Sequence, residues 1–216
     1  MACESPPQQQ INLASINSSG NRTLTEEEEV TFLNELNEQV SPERFSQLLA
    51  EGSYLSDHNF LPDGSEEVQL ITIEEHAKRL EEQRLPNFKF TDLNGKIYTR
   101  DLLKGKVVVL SFWFTASLLC TEEIDELNTL VQKYNANDNL VWLAPALDKT
   151  VDLSRYLKKA EWNYNFVANQ EHLAIELGIL TYPTHLIIDE EGNIIKAVVR
   201  HSNASGTIEK TLEDLL

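Results

Sequence analysis

The sequence predicts an α/β fold: a central mixed β-sheet flanked by helices, with an N-terminal helical extension ahead of it. Two stretches of the second half carry this prediction. In the first, the apolar run "KVVVLSFWF", an amphipathic stretch from Leu118 to Tyr134 and the apolar run "NLVWLAPAL" follow one another. Strand, helix and strand in that order, with both strands continuously apolar, make a parallel βαβ unit buried on both faces. In the second, "THLIIDEEGNIIKAVV" sets two apolar runs around Glu191-Gly192-Asn193, which is a hairpin pattern. A parallel unit and a hairpin in one domain make the sheet mixed. A third observation separates the front of the chain from this domain: residues 1–84 hold 17 acidic and 5 basic side chains, whereas residues 85–216 hold 18 and 13.

Taken in order, residues 1–23 mix proline, glutamine, serine and asparagine with few large apolar groups. Such a segment cannot offset the entropy of ordering, and a flexible tether is expected. Residues 24–84 read as an acidic helical extension. Thr25 and Glu28 form a capping box, and Val30, Leu33, Leu36 and Val40 recur at helical spacing, which predicts a first helix over about 25–39. Ser41-Pro42 reads as the cap and first turn of a short second helix that stops at Gly52. A turn is expected at Pro62 to Gly64 between extended pieces, and Thr72 with Glu75 repeats the capping box ahead of a helix that must end before Leu85-Pro86. The extension has too little apolar surface to stand alone, so its apolar face is expected to dock on the main domain.

From residue 85 the signals sharpen. Asn94-Gly95 between two short strand-like runs predicts a hairpin. "KVVVLSFWF" is the central strand, "VDLSRYLKKA" and "EHLAIELGI" add helices after the second strand, and "GTIEKTLEDLL" closes the chain as a helix.

Composition excludes several function classes. A formal net charge of -17 on 216 residues leaves no basic surface to neutralise a phosphate backbone, so no nucleic-acid partner is expected. The five histidines, His58, His76, His172, His185 and His201, stand at no metal-ligand spacing, and no glycine-rich phosphate loop follows a strand, so neither metal nor cofactor is expected. Two cysteines, Cys3 and Cys120, make no disulfide framework.

Four features resemble the thioredoxin superfamily, most closely its ResA/TlpA-like thiol-disulfide oxidoreductase branch. They are the entry "LPNF" with "DLNGK", the strand "KGKVVVLSFWF", the S-x-x-C turn from Ser117 to Cys120 that opens a helix, and "TYPTHLIIDEEGNI" farther along. The resemblance covers residues 85–216 and implies a thioredoxin-like domain there. Where the family carries W-C-P-x-C, this chain has Ala116, Ser117, Leu118, Leu119 and Cys120. The family's nucleophilic cysteine falls on Ser117 and its resolving cysteine on Cys120, so the active site is degenerate. The family's kinking proline falls on Asp125. The resemblance also implies that Pro183 is cis and that the backbone before it pairs with an extended substrate segment.

Ser117 and Cys120 are therefore the candidate catalytic residues, each with a plainer reading beside it. Serine is a preferred N-cap, so Ser117 can keep the helix start without any redox role. As a nucleophile it would need a base; His185 is the nearest in the family's arrangement, with no acidic orienter placed beside it. Cys120, near a helix N-terminus, could act alone through a lowered pKa. Against that, Glu122, Glu123, Asp125 and Glu126 disfavour a thiolate, and the family's matching cysteine is shielded. The S-x-x-C string also occurs in peroxiredoxins, but the proline that begins their motif is here Trp113.

The binding candidates are Leu118, Leu119, Tyr182, Pro183 and Trp113. Two leucines beside a strand-like edge form an apolar patch fit for a protein or peptide partner, unless the extension folds over them. Two functions follow from these residues: a redox-silent protein that binds an extended polypeptide at the Pro183 groove, or a thiol-disulfide oxidoreductase that works through Cys120 alone. A monomer is expected. Cys3 at the head of a polar tether suggests a lipid-anchored lipoprotein of the cell envelope; the alternative is a cytoplasmic protein in which Cys3 is incidental.

Overall fold

The computed structural model describes residues 30–158 and 163–216. The tether expected over residues 1–23, Cys3, and the Thr25/Glu28 capping box lie outside the described residues.

The main domain is organised by one strand. After a short hairpin, β4 (Lys89–Thr91) with β5 (Ile97–Thr99), and the single turn α3 (Arg100–Leu103), the chain enters β6 (Val107–Phe112), every residue of which is buried. It turns into α4 (Leu118–Glu122) and α5 (Ile124–Lys133), then β7 (Leu140–Pro145), α6 (Thr150–Leu157), β8 (Asn165–Val167), α7 (Glu171–Leu177), β9 (Thr184–Ile188), β10 (Ile194–Val199) and α8 (Ala204–Leu215). The five-stranded sheet has the order β10-β9-β6-β7-β8. β6, β7 and β8 run parallel, while β9 is antiparallel to both β6 and β10, so the sheet is mixed as its two kinds of sequence signal predict.

Both faces are filled, which is why the strands are continuously apolar rather than alternating. On one face Val108, Leu110 and Phe112 pack with Leu173 and Leu177 of α7. On the other, Val107 and Val109 pack with Leu127 and Val131 of α5 and Ile208 and Leu212 of α8. Lys133 and Glu209 pair across α5 and α8 at the surface.

The extension departs from the sequence expectation. It contains two helices, α1 (Pro42–Ala50) and α2 (Ile73–Glu81), and also a three-stranded sheet of β1 (Val30–Leu33), β3 (Glu66–Thr72) and β2 (Tyr54–Phe60), in the order β1-β3-β2. Within the described part of the first expected helix, Val30–Leu33 is a strand parallel to β3. The reason is local. Asn34 turns its side chain onto the N–H groups of Leu36 and Glu38, at 3.0 and 2.8 Å, and Asn37 adopts a positive φ of 62°. Asparagine offers the backbone these alternatives to a helix, and the β-branched, aromatic run before it suits a strand. Leu36, expected on the apolar face, is 69% exposed.

The other extension signals hold. Ser41 caps α1 by accepting from Arg44 N–H, and Thr72 caps α2 by accepting from Glu75 N–H. The Pro62 to Gly64 turn joins β2 and β3. The extension has a small cluster of its own around Phe45, Val68 and Leu70. It docks through α2, whose Leu80, with Ile73 and Ala77, joins the main core. Glu81 completes the join, meeting Lys196 Nζ at 2.9 Å and the Ala197 N–H at 3.1 Å.

Candidate functional site

The site forms at the carboxyl end of β6, where a strand must become a helix. Phe114 to Ala116 turn the corner, and the Asp148 carboxylate, in the loop after β7, fixes that turn by accepting from the Thr115 N–H at 2.8 Å and its hydroxyl at 2.5 Å. Ser117 then takes an extended conformation, and its hydroxyl accepts from the Cys120 N–H at 3.3 Å, so it is the N-cap of α4. The amphipathic stretch from Leu118 to Tyr134 is divided at Glu123, which ends α4 and begins α5 although no proline is present.

Cys120 is a free thiol, 2% exposed. Its burial pushes the thiol pKa up; the Ser117 hydroxyl and the Phe114 backbone pull it back, and the Glu123 and Asp148 carboxylates add to the rise. A rise of this kind favours the protonated thiol over the thiolate. Leu118 and Leu119, the two residues before it in α4, are 70% and 47% exposed. They are surface residues, not covered by residues 30–84, the described part of the extension.

Tyr182-Pro183 is a cis peptide. Pro183 is buried and Tyr182 half-buried, its ring edge-on to Phe114 at 5.6 Å between centroids. Neither the Tyr182 N–H nor its carbonyl has a hydrogen-bond partner among the described residues. Trp113, placed on the binding face by the sequence reading, is instead core: 5% exposed, edge-on to Tyr156 and tilted onto Phe166. It props the corner from beneath because it closes a strand whose residues are buried on both faces.

Ser117 and His185 are not brought together. His185 is the direct partner of Ser111 in the β6/β9 register, and the two side chains meet at 3.0 Å through Nδ1 and Oγ. Its other nitrogen, Nε2, lies 2.9 Å from Glu123 Oε2. The acid missing from the sequence reading is therefore present, but the serine it would serve is Ser111, 4% exposed within the sheet. The faint signal for this trio is a serine and a histidine, each interrupting an otherwise apolar strand. Beside it a cavity of about 20 Å³ is lined by Cys120, Glu123, Tyr164, Trp113 and His185. Trp113 Nε1 and the Tyr164 hydroxyl are buried without hydrogen-bond partners among the described residues.

Known proteins share the fold of this domain. The thiol-disulfide oxidoreductase ResA of Bacillus thuringiensis subsp. konkukian is 28% identical over 114 residues, which cover 52% of this chain and 66% of the relative, just under two thirds of its length. Among solved structures, the pneumococcal exposed lipoprotein thioredoxin Etrx1 of Streptococcus pneumoniae superposes with a TM-score of 0.53 at 23% identity, covering 60% of this chain and 100% of that one. StoA of Bacillus subtilis gives 0.52 at 18% identity, covering 58% and 96%. These likenesses show the thioredoxin-like fold. Residues 82–197, more than half of the chain, match the family described as AhpC/TSA, so this thioredoxin-like chain belongs to the AhpC/TSA family.

Proposed function

We propose that this chain is a divergent thioredoxin-like protein of the ResA/TlpA type that lacks dithiol-disulfide exchange and binds an extended polypeptide at the groove beside Pro183. The observation that carries the proposal is the Ser117–Cys120 pair: a hydroxyl serving as helix cap, and a single buried thiol behind it. Dithiol exchange needs an exposed thiolate to attack and a second thiol to resolve the mixed disulfide. Neither requirement is met by Ser117 and Cys120. The parts suited to holding a peptide remain, since Leu118 and Leu119 are exposed and the Tyr182 backbone is unpaired, so an incoming segment can add one strand and set an apolar side chain on the leucines.

The test is a native thiol titration with an aromatic disulfide reagent, run beside an insulin-reduction assay. Cys120 is expected to label only on denaturation, with no acceleration of insulin reduction. Rapid native labelling at neutral pH would replace this proposal with the alternative, an oxidoreductase working through Cys120 alone.

The location that goes with this reading is the cell envelope, with Cys3 as the lipid-bearing residue of a lipoprotein. It is supported by the polar segment that follows Cys3 and by Etrx1 being named an exposed lipoprotein. Incorporation of a clickable palmitate by the native gene product, abolished by Cys3→Ser, is the expected result. A protein that takes up no lipid and fractionates with the cytoplasm would establish the cytoplasmic alternative.

A further inference from the structure

A second cavity lies at the opposite end of β6 from Ser117 and Cys120. Its volume is about 250 Å³, and its walls come from residues 84–87 after α2, residues 100–106 from α3 to the start of β6, and residues 188–192 at the β9–β10 turn. These walls are fastened to one another. The turn carbonyls of Glu190, Glu191 and Gly192 accept, in that order, from the Gly105 N–H at 3.0 Å, Arg84 Nη2 at 2.6 Å and the Leu85 N–H at 2.9 Å. The cavity is therefore formed in the free protein, as ligand sites usually are. Its floor is apolar, since Leu85, Leu103, Val108 and Ile188 are each no more than 6% exposed.

In a chain whose formal net charge is -17, four cations line this one cavity: Arg84, Arg100, Lys104 and Lys106. Lys106 is occupied by the Asp138 carbonyl at 2.5 Å, while Arg84 uses one N–H on Glu191 and has others left. Arg100 is half-buried and Lys104 exposed, and neither has a hydrogen bond or ion pair among the described residues. Arg100 Nε lies 3.9 Å from where a Cβ on Gly192 would stand, so this unmatched guanidinium reaches from α3 to the turn. The same walls carry Asp101, Asp189, Glu190 and Glu191. Asp189 is held in its own turn by the Glu191 and Asn193 N–H groups and the Asn193 side chain, and the other three are exposed. They balance the formal charge of the cations without pairing with them among the described residues. A balanced field of this kind suits an occupant with one negative charge and disfavours a polyanion.

We infer that this cavity binds a small organic monoanion, a single carboxylate on a compact aliphatic body. Arg100 and Lys104 take the carboxylate, because a guanidinium offers the parallel N–H pair that a carboxylate matches and an ammonium adds a point charge beside it. The aliphatic body lies on Leu85, Leu103, Val108 and Ile188, a contact that a bare inorganic anion cannot use. The site is separate from the peptide groove and does not depend on it.

The experiment follows the backbone amides of Gly105 and Gly192 by nuclear magnetic resonance in the full chain as a probe is added. The probes are isocaproate, its uncharged amide and inorganic phosphate. Isocaproate is expected to shift both amides with a Kd on the order of 1 mM, ordinary for so small a ligand, and the other two to bind at least about tenfold more weakly. Arg100→Gln and Lys104→Gln should each weaken isocaproate about tenfold, the scale of one charge-assisted hydrogen bond, with urea unfolding unchanged. Equal binding of the amide would overturn the role of the charge, and equal binding of phosphate the role of the apolar floor; either result ends the assignment. It also falls if isocaproate moves neither glycine, or if either variant keeps the parent affinity.

Discussion

His185 Nε2 and Glu123 Oε2 stand 2.9 Å apart with 3% and 17% of their side chains exposed, joining the middle of the sheet to the break between α4 and α5. The other ring nitrogen is held by Ser111, so the imidazole has no freedom to turn. A pair of this kind matters less for the energy it adds than for what is left when half of it is removed. His185→Leu leaves the Glu123 carboxylate and the Ser111 hydroxyl facing apolar surroundings, and is expected to cost about 3 kcal/mol in urea unfolding. Adding Glu123→Gln should recover part of that loss. Two losses that simply add would show that the residues do not act as a pair.

His76 offers a pH test of the docked extension. It lies on α2 at 2% exposure and accepts the Leu180 N–H through Nε2 at 3.5 Å. Burial, against a smaller opposing effect of Asp57, lowers its pKa from the ordinary 6.5 to about 4. The unfolded chain therefore takes up a proton at higher pH than the folded one does. The stability linked to His76 is complete above pH 6.5 and is lost as pH falls from 6.5 toward 4. At about 1.36 kcal/mol per pKa unit, the loss at the acid end is on the order of 3 kcal/mol. Unfolding midpoints measured from pH 7 to pH 4.5 should fall, and His76→Gln should flatten that part of the slope. An unchanged slope in the variant would assign the pH dependence elsewhere.

What was legible in the sequence follows from how far each determining contact reaches. β6 and β9 are readable because a strand covered on both faces is apolar at most positions, with Ser111 and His185 as the buried exceptions. Ser117 was readable as a cap because its partner, the Cys120 N–H, is three residues away. The helix expected over about 25–39 is not found in its described part because Val30, Leu33 and Leu36 mimic helical spacing, while the Asn34 side chain selects a turn and β3 supplies a strand partner. β8, with three residues, is too short to show a period. Trp113 looked like a surface residue of the corner although it closes the buried strand. The Glu123–His185 pair spans 62 residues, and no local pattern announces it.

Ser117 can be tested as a cap independently of redox chemistry. Ser117→Ala removes the oxygen that accepts the Cys120 N–H and is expected to cost about 1 kcal/mol, whereas Ser117→Asp, which keeps an acceptor and favours the helix dipole, should cost less. Because the cap holds the turn that buries Cys120, native labelling of the thiol should be faster in Ser117→Ala than in the parent. Equal stability of the alanine and aspartate variants would remove the cap from the account.

The leucines distinguish a binding surface from a core. A leucine in the core loses roughly 2 kcal/mol or more when it is replaced by a small polar residue, because its apolar area returns to water and a void remains. Leu118 and Leu119 are already 70% and 47% exposed, so little area is left to lose. Leu118→Ser and Leu119→Ser are each expected to change unfolding stability by about 0.5 kcal/mol or less, in keeping with surface substitutions. Peptide affinity should respond differently, since a bound segment would cover both side chains and each serine would withdraw apolar contact from the complex. The expected pattern is peptide binding weakened about tenfold at nearly unchanged stability, read by anisotropy and urea titration on the same preparations. Stability falling by about 2 kcal/mol per leucine, with affinity following it, would show that these side chains hold the corner together rather than serve a partner.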